Sequence, residues 1–352
     1  MDVPRESRLP RHRITVLLMV AGLVAPAPPV RAVTLYVANN GLDGSSCGTK
    51  TSPCRSISQG IALAATGDMI IVGPGRYAQD SGETGSAGCS CMVSVNKGVT
   101  LVSSAGAAAT TIDARLVTVN SNVIVIADGV TFGKPGKGFT VTPPGLLLAT
   151  SNGIVVDGSN VMISGNQVID AGLGLANAVT GIDTVDNDGE DVLIEGNQVT
   201  AWLVGIHAGS SGKRVLKNAV AANQAGIAAA HASVVEGNVI NGNGAGMFLS
   251  DSVIAQSNAV YGNTNGGFRV EPPFFGTITK NDIFANGLFG FFANCGIATD
   301  QPVVVSAPDN YWGAPTGPGS DPADQACPSS GGSVTTTPFA TKPFSIKATI
   351  KP

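Results

Sequence analysis

A six-residue phrase centred on one asparagine recurs at a nearly fixed interval through the second half of this chain. Asn166, Asn197, Asn218, Asn238, Asn258 and Asn281 stand in ISGNQV, IEGNQV, VLKNAV, VEGNVI, AQSNAV and ITKNDI, at spacings of 31, 21, 20, 20 and 23 residues. A second beat follows each one, at Gly181-Ile182, Gly205-Ile206, Gly226-Ile227, Gly246-Met247, Gly267-Phe268 and Gly290-Phe291. A fixed period in the low twenties is the mark of a solenoid, in which each unit buries its apolar face only by stacking on its neighbours. The units hold Val, Ile, Gly, Asn and Ala, without the fixed leucines and helical half of a leucine-rich repeat. Collagen is excluded because glycine does not fall at every third residue. Short parallel strands joined by tight turns remain, since Val and Ile suit strands and Gly and Asn suit turns.

Strand side chains alternate between faces, so the phase of each unit is readable. Val168, Val199, Val220, Ile240, Val260 and Ile283 are expected to stack as one interior column. Ile182, Ile206, Ile227, Met247, Phe268 and Phe291 form a second, and Ile163, Ile194, Leu216, Val235 and Ile278 a third. Three columns per turn fit a three-sided parallel β-helix. The Asn residues mark corners, where they tolerate left-handed backbone and stack into a ladder of amide hydrogen bonds. A second ladder is expected through Asn223, Asn243, Asn263 and Asn286. Upstream, NKGVTL, SNVIVI and SNVMIS share the phase of DVLIEG, which extends the count to about ten coils and a rod about 48 Å long.

Residues 1–32 read as an export signal. Arg5, Arg8, Arg11 and Arg13 precede an apolar stretch from Ile14 to Ala25, too short to span a bilayer, and Val30-Arg31-Ala32 offers a cleavage site. The mature chain would be secreted or periplasmic, and no other run is long and apolar enough for a membrane helix. Removing five Arg and two acids from 20 basic and 24 acidic residues leaves 15 against 22, a net charge of −7. That balance, without a basic patch, excludes a nucleic-acid partner. Cys47, Cys54, Cys89, Cys91, Cys295 and Cys327 all lie in the mature part, near the two ends of the repeat region. An even count in an exported chain reads as disulfides, with zinc as the other possibility. The pairing expected is Cys47–Cys54 and Cys295–Cys327, leaving Cys89 with Cys91.

Ahead of the repeats, TLYVANNGLDGSSCGTKTSPCRSISQGIALAATGDMIIVGPGRY reads as strand, loop, short helix and strand. Apolar residues at 57, 61, 63 and 64 give the segment Ser56–Ala65 one buried helical face, and Gly67 ends it. This covers the exposed strand end that a solenoid would otherwise present. The order of "YV…NG.DG", a Cys-bearing loop and "SI..GI..A..GD.I.V.PG.Y" resembles the N-terminal cap of secreted right-handed parallel β-helix proteins. These belong to the pectate-lyase-like superfamily, in the branch with PbH1-type repeats. The Asn phrases and NYWGAPTGPGSDPAD, Asn310 to Asp324, resemble the same group, so the likeness spans about Thr34 to Asp324. It implies the fold: a signal at 1–32, a cap at 33–68, a single-stranded right-handed β-helix at 69–310, and a C-terminal cap with an irregular tail at 311–352. It does not imply one activity, because the superfamily holds lyases, hydrolases, epimerases and non-catalytic members.

Chemistry on such a rod belongs to outward columns. The residue after each Gly-apolar pair gives Asp183, His207, Ala228, Phe248, Arg269 and Phe292, and two residues further comes a line that includes Glu271. Asp183 and His207 on adjacent coils suit a general acid/base couple. Phe248 and Phe292 offer flat faces to sugar rings, with Glu271 beside them, and Arg269 suits a uronate carboxylate. Asp183, Asp186, Asp188, Glu190 and Asp191, in DTVDNDGED, are ligand types that Ca2+ takes. The same residues can be read as unrelated surface side chains and a solvated acidic loop. His231 sits at a coil corner, and Lys213 and Arg214 at a turn. The motifs of polygalacturonases and alginate epimerases are absent. Two functions follow: a calcium-assisted polysaccharide lyase acting on an acidic glycan, with Asp183, His207 and Arg269 at its centre, or a non-catalytic carbohydrate-binding, adhesive or scaffold rod that meets a polysaccharide or cell-surface glycan.

Overall fold

The structure, a computed structural model, describes residues 31–83, 89–117, 119–145, 151–170, 178–184, 190–288 and 292–348. The expected export signal lies outside this set except for its last two residues, as do Asp186, Asp188 and Phe291.

Every strand pair described is parallel, and the strands form three sheets of 12, 10 and 9 members, called here the first, second and third. Within each coil the chain visits them in turn: Lys213–Leu216 in the first, Ala219–Ala221 in the third and Ala225–Ala229 in the second. This is the three-sided right-handed β-helix expected from the repeat. Register shows why the period matters. In the third sheet Val168 pairs with Val199, Val199 with Val220, Val220 with Ile240, Ile240 with Val260, and Val260 with Ile283. In the second, Ile182, Ile206, Ile227, Met247 and Phe268 stack in the same way. All of these side chains are wholly buried, so each turn contributes three apolar layers to one continuous core.

Two column assignments need correction. The first-sheet column runs Ile163, Ile194, Val215, Val235, Ala255 and Ile278, so Val215 and not Leu216 occupies the interior. Leu216 pairs instead with Glu195 and Glu236 on the alternate face. At the far end of the second-sheet column Phe268 pairs with Ile297, which takes the place expected for Phe291. The six-residue gap is a long connection that the Gly-apolar beat does not register. Lys213 and Arg214 lie in a first-sheet strand rather than at a turn.

The two Asn ladders form, with a different division of labour from that expected. Left-handed backbone falls on the residue before each Asn, at Gly165, Gly196, Lys217, Gly237, Ser257 and Lys280, and at Ala222, Gly242, Gly262 and Ala285 for the second ladder. The Asn itself supplies the amide. Asn218 donates to Asn238 Oδ1 from its backbone N at 2.8 Å and from Nδ2 at 3.0 Å, and the pattern repeats rung by rung. The first ladder continues one rung further, to Asn310. The second ends on Asp324, whose carboxylate accepts from the backbone N and Nδ2 of Asn286.

The N-terminal end is closed as the composition suggested. Thr34–Val37 pairs with Met69–Val72, which adds one strand ahead of the first expected coil. The helix runs Ile57–Leu63, shorter than the segment read from the sequence, because Ala64 has already left helical geometry and Asp68 takes the Ala65 N–H at 2.8 Å. Ser56 caps its start, and the buried Glu83 carboxylate accepts the N–H groups of Ile57 and Ser58 at 2.7 and 3.1 Å. The cysteines pair as expected: Cys47–Cys54, Cys89–Cys91 and Cys295–Cys327. The last of these joins neighbouring strands Cys295–Thr299 and Gln325–Cys327 at the C-terminal end of the second sheet. No helix among the described residues is long and apolar enough to cross a membrane.

Candidate functional site

The outward column of the second sheet places Asp183 beside His207, His207 beside Ala228, Ala228 beside Phe248 and Phe248 beside Arg269. Its two ends hold different chemistry. Asp183 Oδ1 lies 2.9 Å from His207 Nδ1, and Asn152 Nδ2 donates to Asp183 Oδ2 at 3.2 Å. The carboxylate is therefore held from both sides, by one coil above and one below. His207 keeps 37% of its side chain exposed, which leaves the imidazole accessible from solvent.

Arg269 begins the other end. It stands four strand steps from Asp183, about 19 Å at the spacing of a sheet. The guanidinium carbon lies 5.0 Å from the centroid of the Phe248 ring and 4.7 Å from that of Phe292, so the two rings flank it. Both contacts are of cation–π type. Arg269 Nη2 is ion-paired with Asp300, while its Nε–H is buried and finds no acceptor. Phe292 reaches this cluster from a connection and not from the column, because the strand position beside Arg269 belongs to Ala298. Beside the cluster runs a groove of about 380 Å³, lined by Leu203, Val204, Gln224, Ala225, Ala245, Phe248, Asn265 and Arg269. Glu271 is exposed two residues beyond Arg269 on the same strand and does not line the groove.

Of the expected calcium ligands, Asp186 and Asp188 lie outside the described residues, and Asp183 is engaged as above. Glu190 and Asp191 are exposed, the latter with left-handed backbone. Lys213 is buried nearby, and that burial lowers its pKa against the opposing charge of Glu190.

Three participants, Asn152, Asp300 and Asp251, escaped the sequence reading, and His231 was placed at a coil corner without its partner. Asn152 precedes Gly153-Ile154, a copy of the Gly-apolar beat one coil ahead of those counted, so its place was available. Asp300 follows a connection of irregular length, and nothing local marks it as the partner of Arg269. The third, Asp251, is joined to His231 at 2.9 Å between Oδ2 and Nδ1. Ser210, His231 and Asp251 each fall three residues after the outward column positions His207, Ala228 and Phe248, a constant offset that could have revealed them. They border a pocket of about 570 Å³ at the corner where the second sheet ends, lined by Gly209, Ser210, Ser211, His231, Ala232, Asp251 and Ser252.

Among known proteins, the family model described as "Periplasmic copper-binding protein (NosD)" matches residues 50–316. No curated protein sequence matches. Among solved structures the chain is similar to pectate lyase Pel9A, with a TM-score of 0.56 and 16% identity over 89% of this chain and 80% of that one. Looser likenesses include the GH136 lacto-N-biosidase of Eubacterium ramulus, with a TM-score of 0.44 and 11% identity over 89% of this chain and 68% of that one. Another is the A-module of the mannuronan C-5 epimerase AlgE4 of Azotobacter vinelandii, with a TM-score of 0.41 and 12% identity over 81% and 91%. At these identities the likeness is one of fold.

The donors among the described residues do not fit copper, which favours thiolate, thioether and imidazole ligands. All six cysteines are oxidised to disulfides. Met92 and Met247 are packed in the core, and the half-buried Met69 and Met162 stand three strand steps apart in the first sheet, about 14 Å. After residue 31 the chain has two histidines; each holds a carboxylate through Nδ1 and has Nε2 as a second donor atom, but neither stands in a cluster of three His, Cys, Asp or Glu donors among the described residues. Among the described residues, the one cluster of three His, Cys, Asp or Glu donors is Asp43 with Cys47 and Cys54, whose sulfurs are bonded to each other.

Proposed function

Because this chain belongs to the NosD family of parallel β-helix proteins and its described residues gather no copper site, we propose that it is an exported rod that binds carbohydrate on the second sheet without cleaving it. The observation that carries this reading is the Arg269 cluster. The Phe248 ring and the Arg269 guanidinium, itself packed against Phe292, line a groove whose remaining polar side chains are the amides of Gln224 and Asn265. Flat apolar faces bordered by amide donors and acceptors suit a sugar ring, which is apolar on its faces and hydroxylated at its edge.

A calcium-assisted elimination on an acidic glycan has less support. It requires a cation on the uronate carboxylate and a base at the proton removed, both within reach of one sugar. Here the acidic residue Asp183 and the basic residue Arg269 are about 19 Å apart, and each is tied to a partner of opposite character. Asp300 neutralises Arg269, and the chain carries a net negative charge, so an uncharged glycan is favoured over a polyuronate.

The test is titration calorimetry against neutral and uronate oligosaccharides, with parallel measurement of unsaturated product in the presence of calcium or chelator. Binding of a neutral oligosaccharide weakened at least tenfold by Phe248→Ala, with no turnover, is the expected result. Chelator-sensitive release of unsaturated uronate, abolished by Asp183→Ala or Arg269→Ala, would overturn the reading.

A further inference from the structure

A β-helix offers a bound chain two directions, along the rod or across it. Along the rod, the second sheet is obstructed: His207 and Phe248 stand up from the column with Ala228 between them. Across the rod, the same three residues make a trough. Ala228 is its floor, and His207 and Phe248 are walls two strand spacings apart, about 10 Å. The trough follows the strand Ala225–Ala229. At one end lies the Gln224–Phe248–Arg269 groove, and at the other the corner pocket of His231, Asp251 and Ser252. The strand from Ala225 to Ala229 spans about 13 Å, and His231 lies two residues past its end, at the corner.

The corner pocket is built to meet hydroxyl groups. Asp251 Oδ2 accepts from His231 Nδ1 at 2.9 Å, and Asp251 Oδ1 accepts from Ser252 Oγ at 2.9 Å. A carboxylate acceptor requires the proton on Nδ1, so in the neutral ring Nε2 carries the lone pair and can accept from a sugar hydroxyl. Ser211 adds a hydroxyl that donates or accepts, and Ser252, whose proton goes to Asp251, adds an acceptor. With 58% of its side chain exposed, His231 is within reach of a ligand.

We propose that a sugar chain lies across the rod, over Ala228 and between His207 and Phe248, with one unit in the Arg269 groove and a distal unit hydrogen-bonded in the His231–Asp251 pocket. This inference rests on the carbohydrate reading above. It adds a second subsite and fixes the orientation of the ligand.

The experiment compares cellobiose with cellohexaose on the full mature chain. The hexamer reaches both ends of the trough and the dimer only one, so the wild type should bind the hexamer at least tenfold more tightly. Ala228→Trp places a bulky ring on the floor, on an outward strand position that accepts aromatics, and should lower hexamer affinity at least tenfold. Ala221→Trp, on the outer face of the third sheet, should leave it unchanged. His231→Ala should weaken the hexamer and spare the dimer, with the circular dichroism spectrum and melting temperature of each variant confirming the fold. Hexamer binding indifferent to both Ala228→Trp and His231→Ala would overturn this inference while leaving the carbohydrate reading intact. Binding of neither oligomer by the wild type would overturn both.

Discussion

Replacing Asn238 separates the two roles of a ladder rung. Its Oδ1 accepts from the backbone N and Nδ2 of Asn218, and its own Nδ2 donates to Val215 O, Glu236 O and Asn258 Oδ1 at 2.8, 3.2 and 3.0 Å. The side chain is wholly buried, so water cannot replace a lost partner. Asn238→Ala removes these five bonds. At about 1 kcal/mol net each, the loss is roughly 4–6 kcal/mol, comparable with the whole stability of many domains. Asn238→Asp is more discriminating. It keeps the acceptor toward Asn218 but turns the donor into an oxygen that faces three other acceptors. At neutral pH it should cost at least as much as Ala, and it should regain stability in acid, where a protonated carboxyl can donate again. Asp324→Asn is the control, since Asp324 ends its ladder and only accepts. It should stay within about 1 kcal/mol of wild type. Urea unfolding followed by far-ultraviolet circular dichroism at several pH values gives all three numbers. An Asn238→Asp variant as stable as wild type at neutral pH would refute the directional ladder.

Burial pushes the Glu83 carboxyl up to about 7, against hydrogen bonds from Ser58 and Ile57. The folded chain therefore holds this proton after the unfolded chain has lost it. The associated stability is full below the ordinary carboxylate range and disappears as pH rises through about 7. The loss is about 3 kcal/mol, and a Glu83→Gln variant should flatten the pH profile of urea midpoints over that window. Asp324, raised to about 6 by burial, acts in the same direction over a narrower range. Ala222 and Ala285 carry left-handed backbone with φ of 57° and 55°. Ala222→Gly and Ala285→Gly should each raise stability by about 0.5–1 kcal/mol in thermal melts, and a fall would show that the strain is relieved elsewhere. The Cys295–Cys327 bond closes a separation of 32 residues, so Cys295→Ala with Cys327→Ala should cost about 3–4 kcal/mol in urea unfolding if chain entropy dominates.

The coil architecture was legible because strand alternation and a fixed period over-determine it. Six Asn phrases fixed the third-sheet column residue for residue. The first-sheet column slipped by one at Leu216 because VLK offers two adjacent apolar residues and only register decides between Val215 and Leu216. The Asp183–His207 contact was readable as adjacent coils at equal phase. The Arg269 cluster was not, because Asp300 and Phe292 arrive from connections whose length breaks the period. The positive φ before the Asn was signalled by Gly165, Gly196, Gly237, Gly242 and Gly262 but masked elsewhere, since Lys217, Ser257 and Lys280 carry no signature of left-handed backbone. What the sequence reading treated as one continuous functional face is divided, with the acidic residue at one end and the basic one at the other.

Three successive rungs, Asn218, Asn238 and Asn258, are spaced by the same 20 residues, and each offers the next an identical acceptor and donor. The molecule is thus dimensioned in whole steps, like a ruler with one graduation per turn. Excising residues 239–258 would bring Asn238 to the place of Asn258 and reseal the core one graduation shorter. Duplicating them would lengthen it by the same amount. Reach can change by integers without redesigning either end, whereas an insertion of any other length must loop out at a corner.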